Sequence, residues 1–191
     1  MILWRFSELL QLRWLLELIY RIDVSGVEHV PRDGPCILVA NHESLFDPWI
    51  LCLATRRRVR FMAKAELWRY PGLRWAMESY GAFPIDRGSG DTGAMERAGA
   101  LLEEGELLGM FPRGTSRPGG NRRWHRGAAR LALAYGVPIV PVRMENTRQI
   151  LPRRAMRVRV GDLIPVERRR PTIAAARELT RQAEAAVEAL A

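Results

Sequence analysis

The sequence predicts an α/β fold: a layered, mixed and largely parallel sheet flanked by helices, preceded by a helix lying at a membrane interface. Three observations carry this. Short apolar runs alternate with segments of helical periodicity along most of the chain, the pattern of strand-helix units that bury a sheet between helices. With 191 residues, 48% of them apolar, the chain can build one full core, and no stretch reads as a linker between two halves. The first twenty residues, finally, are apolar round most of a helical circumference, so that helix must be covered by something. The expected division is a membrane-associated helix over 1–22 and one folded domain over 23–191.

The N-terminal segment carries Trp4, Phe6 and Trp14 among ten Ile, Leu and Phe residues. Spanning a bilayer would gain roughly 3 to 6 kcal/mol from those ten, while Arg13, Glu8 and Glu17 oppose it by roughly 9 kcal/mol. Spanning loses, which predicts a helix in the interface or packed on the domain. Charges interrupt the apolar region and no small-x-small site follows, so the segment does not read as a signal peptide. Asp23 to His29 then predicts a short strand, and Pro31-Arg32-Asp33-Gly34-Pro35 a turn into a strand over 36–40. Asp47 before Pro48 predicts an N-cap and a helix to about Leu53. Further strands are predicted at 59–62, 82–85, 107–111, 138–142 and 158–160, with helices at about 64–79, 91–104, 124–135 and 172–190.

The formal charge of +9 comes almost wholly from arginine, Lys64 being the only lysine. Such a surface attracts polyanions, either nucleic acid or an anionic membrane. The apolar first helix favours lipid. No stacking platform or recognition motif is interleaved with the arginines, which argues against a nucleic-acid partner. Cys36 and Cys52 lie in apolar runs with neither the number nor the spacing of a disulfide framework or metal site, which suggests a reducing compartment.

Three motifs follow one another in fixed order: Asn41-His42-Glu43-Ser44-Leu45-Phe46-Asp47, Gly81-Ala82-Phe83-Pro84-Ile85-Asp86-Arg87, and Phe111-Pro112-Arg113-Gly114-Thr115. The first follows the apolar run 36–40, so it presents a histidine and an aspartate where a strand ends and a helix begins. A histidine there can take a proton from a hydroxyl, and a carboxylate on its other ring nitrogen fixes the tautomer and stabilises the imidazolium. For an isolated His-x4-Asp, a histidine that merely caps a turn is the better reading. Ser44 is near, but no Gly-x-Ser-x-Gly elbow occurs, which leaves an acyl-enzyme route little support.

Taken together, the motifs resemble those of the phospholipid-biosynthesis acyltransferases, the 1-acylglycerol-3-phosphate and glycerol-3-phosphate acyltransferases. The Asn-His-x4-Asp motif of that family is matched by Asn41, His42 and Asp47. Its second is matched by Gly81, Phe83, Ile85, Asp86 and Arg87, its third by Phe111, Pro112, Gly114 and Thr115, and its proline-bearing fourth strand by Val137 to Val142. The resemblance covers about residues 23 to 165.

It implies an acyltransferase domain in which His42 is the general base, Asp47 orients it, and an acceptor hydroxyl attacks an acyl thioester directly. The implied donor is acyl-CoA or acyl carrier protein and the implied acceptor a lysophospholipid, with no metal or other cofactor. Arg87 would grip the acceptor phosphate, since a guanidinium fork matches phosphate oxygens. Where the family has glutamate in its third motif this chain has Arg113, and where it has arginine this chain has Ser116, with Arg117 one residue on. Arg113, the backbone at Gly114 and Thr115, and Arg117 would then meet an anionic acceptor. The implied location is peripheral, at the cytoplasmic face of an anionic cell membrane. Two alternatives stay open: an acyl thioesterase in which His42 activates water, and a non-catalytic lipid- or acyl-CoA-binding protein with a degenerate site.

Overall fold

A computed structural model describes residues 21–79, 81–85, 92–114, 116, 123–148 and 155–191. Of the N-terminal helix predicted over 1–22, residues 1–20 lie outside these residues, and Ile22 opens the first strand, paired with Met156. Seven strands form one sheet: β1 (Ile22–Ser25), β2 (Cys36–Ala40), β3 (Val59–Lys64), β4 (Ala82–Ile85), β5 (Leu107–Met110), β6 (Ile139–Glu145) and β7 (Met156–Val160). Their spatial order is β1-β7-β6-β2-β5-β3-β4. Neighbours from β6 to β4 all run parallel, and the sheet reverses only between β6 and β7. The sheet is thus mixed and largely parallel, as the sequence predicts. Five parallel strands end along one edge, the edge reached by the Asn41 to Asp47 segment.

The helices are α1 (Asp47–Leu51), α2 (Pro71–Ser79), α3 (Thr92–Glu103), α4 (Gly127–Tyr135) and α5 (Ile173–Glu188). Parallel strands are joined by right-handed crossovers. Steps from β2 to β3 and from β3 to β4 move one way along the sheet, and steps from β4 to β5 and from β5 to β6 move the other. The crossovers carrying α1 and α2 therefore cover one face, and those carrying α3 and α4 the opposite face. Alternation along β2 agrees: Ile37 and Val39 join Leu101, Leu131 and Ala183 in one core cluster. Leu38 and Ala40 join Ile50, Leu51 and Phe61 in the other. With both faces covered, all five β2 residues are buried, the burial expected of a parallel strand.

Several element ends differ from the sequence expectation, each for a local reason. The predicted helix over 64–79 is broken into a 3₁₀ turn at Ala65–Arg69 and α2, because Tyr70 precedes Pro71 and is held extended at φ −101°, ψ 111°. The predicted strand over 23–29 stops at Ser25, where Gly26 takes φ +75° and a Cβ would lie 2.0 Å from the Val160 carbonyl oxygen. Strand β6 runs past Val142 to Glu145 because β7 pairs with it from Val142↔Val160 to Glu145↔Arg157. Helix α5 matches closely, its N-cap Thr172 accepting from Ala175 N.

Both cysteines are free and buried. Burial pushes the Cys36 thiol up to about 12, with Arg57 pulling the other way, and burial alone pushes Cys52 up to about 12. A raised value keeps each thiol neutral far above neutral pH, and the thiol form is a poor nucleophile. An alkylating reagent at mildly alkaline pH should modify neither cysteine in the native protein and both after denaturation, as read by mass spectrometry. Packing makes a second prediction at Gly109 on β5, where a Cβ would lie 2.3 Å from Phe61 Cε1 and 2.9 Å from Val59 Cγ1. Overpacking of this kind costs about 1 to 3 kcal/mol, so Gly109→Ala should unfold at lower denaturant than wild type.

Candidate active site

Strand β2 ends at Ala40 and the next residue is anchored sideways. Asn41 is buried, and its side chain clamps one residue of β6: Nδ2 donates to Met144 O at 2.8 Å while Met144 N donates to Oδ1 at 2.8 Å. This pair of hydrogen bonds satisfies a backbone N–H and C=O that an apolar side chain would leave unpaired. It also fixes where the following turn departs from the sheet.

The turn folds round one carboxylate. Asp47 is fully buried, and its Oδ2 accepts from the backbone N–H groups of Glu43 and Ser44, the latter at 2.8 Å. The same oxygen lies 2.8 Å from His42 Nδ1. A carboxylate oxygen accepts, so the proton of that bond sits on Nδ1 and Nε2 keeps its lone pair. No described residue bonds Nε2, and 13% of the His42 side chain reaches solvent. The sequence expectation that Asp47 caps α1 is corrected here. The residue before the helix is Phe46, with no side-chain cap bond, because the Asp47 carboxylate is turned back onto the preceding turn and its histidine.

The ring of His42 is supported from β5. Phe111, one residue past that strand, stacks on it at 4.5 Å between centroids and 26° between planes. Phe61 of β3 lies 6.3 Å behind Phe111, inclined by 9°. Two bonds shape the segment after Phe111: Gly114 N donates to Phe111 O at 2.9 Å, and His125 N donates to Pro112 O at 2.9 Å. Gly114 sits at φ +66°, a left-handed conformation that glycine adopts without strain. The bond from His125 also holds the chain out of helix until Gly127, so the predicted start of α4 at 124 moves three residues along.

His42 and Asp47 are therefore brought together, and Gly114 lies in the turn that follows the residue stacked on His42. Arg113 is half-buried, its Nε enclosed and without a partner among the described residues. Its charge acts on Glu184 of α5, whose carboxyl is pushed up by burial and by Glu188 and pulled back by Arg113. Arg87, Thr115 and Arg117 lie outside the described residues. Among the described residues no group of three or more His, Cys, Asp or Glu is placed to hold a metal ion, and no helix is long and apolar enough to cross a membrane. Sequence reasoning gave no separate role to Asn41 or Phe111. Their partners, Met144 and His42, become neighbours only through the strand order β6-β2-β5.

Residues 21–145 match the model of the family described as Acyltransferase. The chain is 32% identical over 137 residues to the chloroplastic 1-acyl-sn-glycerol-3-phosphate acyltransferase BAT2 of Brassica napus, covering 70% of this chain and 40% of that one. It is 35% identical over 135 residues to the lyso-ornithine lipid O-acyltransferase of Pseudomonas aeruginosa, covering 70% of this chain and 50% of that one. The chain thus spans half or less of the length of these two relatives. Among solved structures, the crystal structure of the 1-acyl-sn-glycerophosphate acyltransferase PlsC from Thermotoga maritima superposes with a TM-score of 0.72 at 25% identity, over 93% of this chain and 73% of that chain. With the matched span running from β1 to the end of β6 and holding the whole His42 turn, the chain belongs to the acyltransferase family.

Proposed function

We propose that this protein moves a fatty acyl group from acyl-CoA or acyl carrier protein to the hydroxyl of a lysophospholipid such as 1-acylglycerol-3-phosphate. One observation carries the mechanism: the buried Asp47 carboxylate on His42 Nδ1 leaves Nε2, at the end of β2, with no partner among the described residues. The acceptor hydroxyl gives its proton to Nε2 while its oxygen attacks the thioester carbonyl. Collapse of the tetrahedral adduct breaks the C–S bond, and the departing thiolate recovers the proton from the imidazolium. Asp47 stabilises the imidazolium between those two steps. The thioester is already activated, so this route needs no metal, and the nucleophile is the substrate's own oxygen, so no acyl-enzyme forms.

The names of the relatives support a lysolipid acceptor and differ in its headgroup, one phosphate-bearing and one built on ornithine. Arg113 is the residue of this site that bears most on that choice, because a guanidinium where the resembled motif has glutamate changes the local charge by two units. Arg87, Thr115 and Arg117 complete the proposed acceptor contacts. We further propose that the enzyme works as a peripheral protein at the cytoplasmic face of the membrane, where a lipid acceptor and an acyl-CoA or acyl carrier protein donor meet.

Given labelled long-chain acyl-CoA and a panel of lysolipids in mixed micelles, the wild type should form a diacyl lipid. His42→Ala should lower the rate by about 10² to 10⁴, the usual contribution of a general base. Free fatty acid in place of diacyl lipid would identify a thioesterase instead. Silence with both acyl-CoA and acyl carrier protein would identify a binding protein. In the same assay Arg113→Glu should change the ranking of acceptors, and an unaltered ranking would remove Arg113 from acceptor selection.

A further inference from the structure

We propose that the edge of the sheet bearing His42 docks on an anionic lipid surface, and that the tip of the catalytic turn, Leu45 and Phe46, is the part that enters the lipid. This rests on the lysolipid-acceptor reading and names the surface on which the acceptor is met. Leu45 is 57% exposed and Phe46 50% exposed, although they lie inside the motif whose Asp47 is wholly buried. Two adjacent large apolar side chains in solvent are not explained by the core, since α1 already supplies Ile50 and Leu51 to it.

The tip is also stiff. Phe46 N donates to Ser44 Oγ at 3.2 Å, Asp47 N donates to Ser44 O at 3.2 Å, and the Phe46 ring lies 5.6 Å from that of Trp49. A pre-ordered apolar tip loses little conformational freedom on entering a bilayer.

Two further exposed aromatics lie on the crossover that shares a sheet face with α1. Tyr70 and Trp75, on the segment that carries α2, are 65% and 61% exposed. Amphipathic rings of this type settle at headgroup depth. The charge of the edge leans toward an anionic leaflet: Arg69, after β3, and Arg126, before α4, are both exposed where parallel strands end, while the neighbouring Glu66 is paired with Lys64 at 2.7 Å, within a chain of net charge +9. Geometry gives the arrangement a consequence. Leu45 lies three residues from His42, at most about 10 Å along the chain, so burying the tip holds the base at the level of the headgroups. There the hydroxyl of a lysophospholipid is presented without leaving the membrane.

The test uses the full chain with vesicles of phosphatidylcholine, with and without phosphatidylglycerol, and beside it a water-soluble short-chain acceptor and donor. The Leu45→Ser, Phe46→Ser double variant should bind phosphatidylglycerol vesicles about tenfold or more weakly, as two large side chains leave the lipid. Its transfer to vesicle-borne acceptor should fall much further than its rate on the soluble pair, and an equal fall in both would overturn the proposal. Unchanged vesicle binding would overturn the proposal. Leu45→Cys offers a second readout, since both native thiols are buried and an environment-sensitive fluorophore will attach at the new position. Its emission should shift to the blue with phosphatidylglycerol vesicles; no shift, or an equal shift with phosphatidylcholine alone, would also overturn it. A wild type that binds vesicles through this tip yet transfers nothing to the soluble acceptor would instead overturn the catalytic reading and leave the docking surface standing.

Discussion

The buried oxygen Asp47 Oδ2 is the point from which the site is built. It receives the backbone N–H groups of Glu43 and Ser44 and the Nδ1 of His42, so one acceptor closes the turn, fixes the ring and sets which nitrogen faces outward. Its cost is the burial of a carboxylate, which is tolerable only because hydrogen-bond donors converge on it. Removing the carboxylate would release the turn as well as the histidine. The geometry of the base and the local fold are therefore one structural decision.

That turn is held in place by strands on both sides. Asn41 fastens its first residue to Met144 of β6, while Phe111 beyond β5 lies against the His42 ring. Behind Phe111 stands Phe61, in space left open by the missing side chain of Gly109. The column from β3 through Phe111 to His42 transmits core packing directly to the imidazole. A closely packed interior deforms little, so the ring is positioned by the sheet as a whole and not by its own short loop.

The two faces of the sheet divide the work. One buries α3, α4 and α5 in the larger apolar cluster. The other, beneath α1, carries the aromatic support of His42 and leaves apolar side chains in solvent at the tip of the same turn. The shared edge, where five parallel strands end, is where open α/β sheets place their sites, because loops there are free to converge without disturbing the ladder.

Local features were legible before the fold was known. The six strands and four helices read from periodicity between 36 and 190 recur with shifted ends, Thr172 caps the last helix, and the His42–Asp47 pair lies within six residues, a separation one turn can close. What the sequence did not disclose is everything set by strand order. Its Asp-Pro pair reads as a helix cap, yet the Asp47 carboxylate turns to the preceding backbone, since three donors gathered by the folded turn outcompete the helix N–H groups. Phe111 and Met144 are 69 and 102 residues from His42 in the chain, and Arg113 meets the field of Glu184 from the last helix. Hydrophobic period reports which residues face a core, but not which strands lie side by side. The sequence by itself determined the elements and the acid-base pair; only the tertiary structure, by placing β2 between β5 and β6, decided what holds that pair in position.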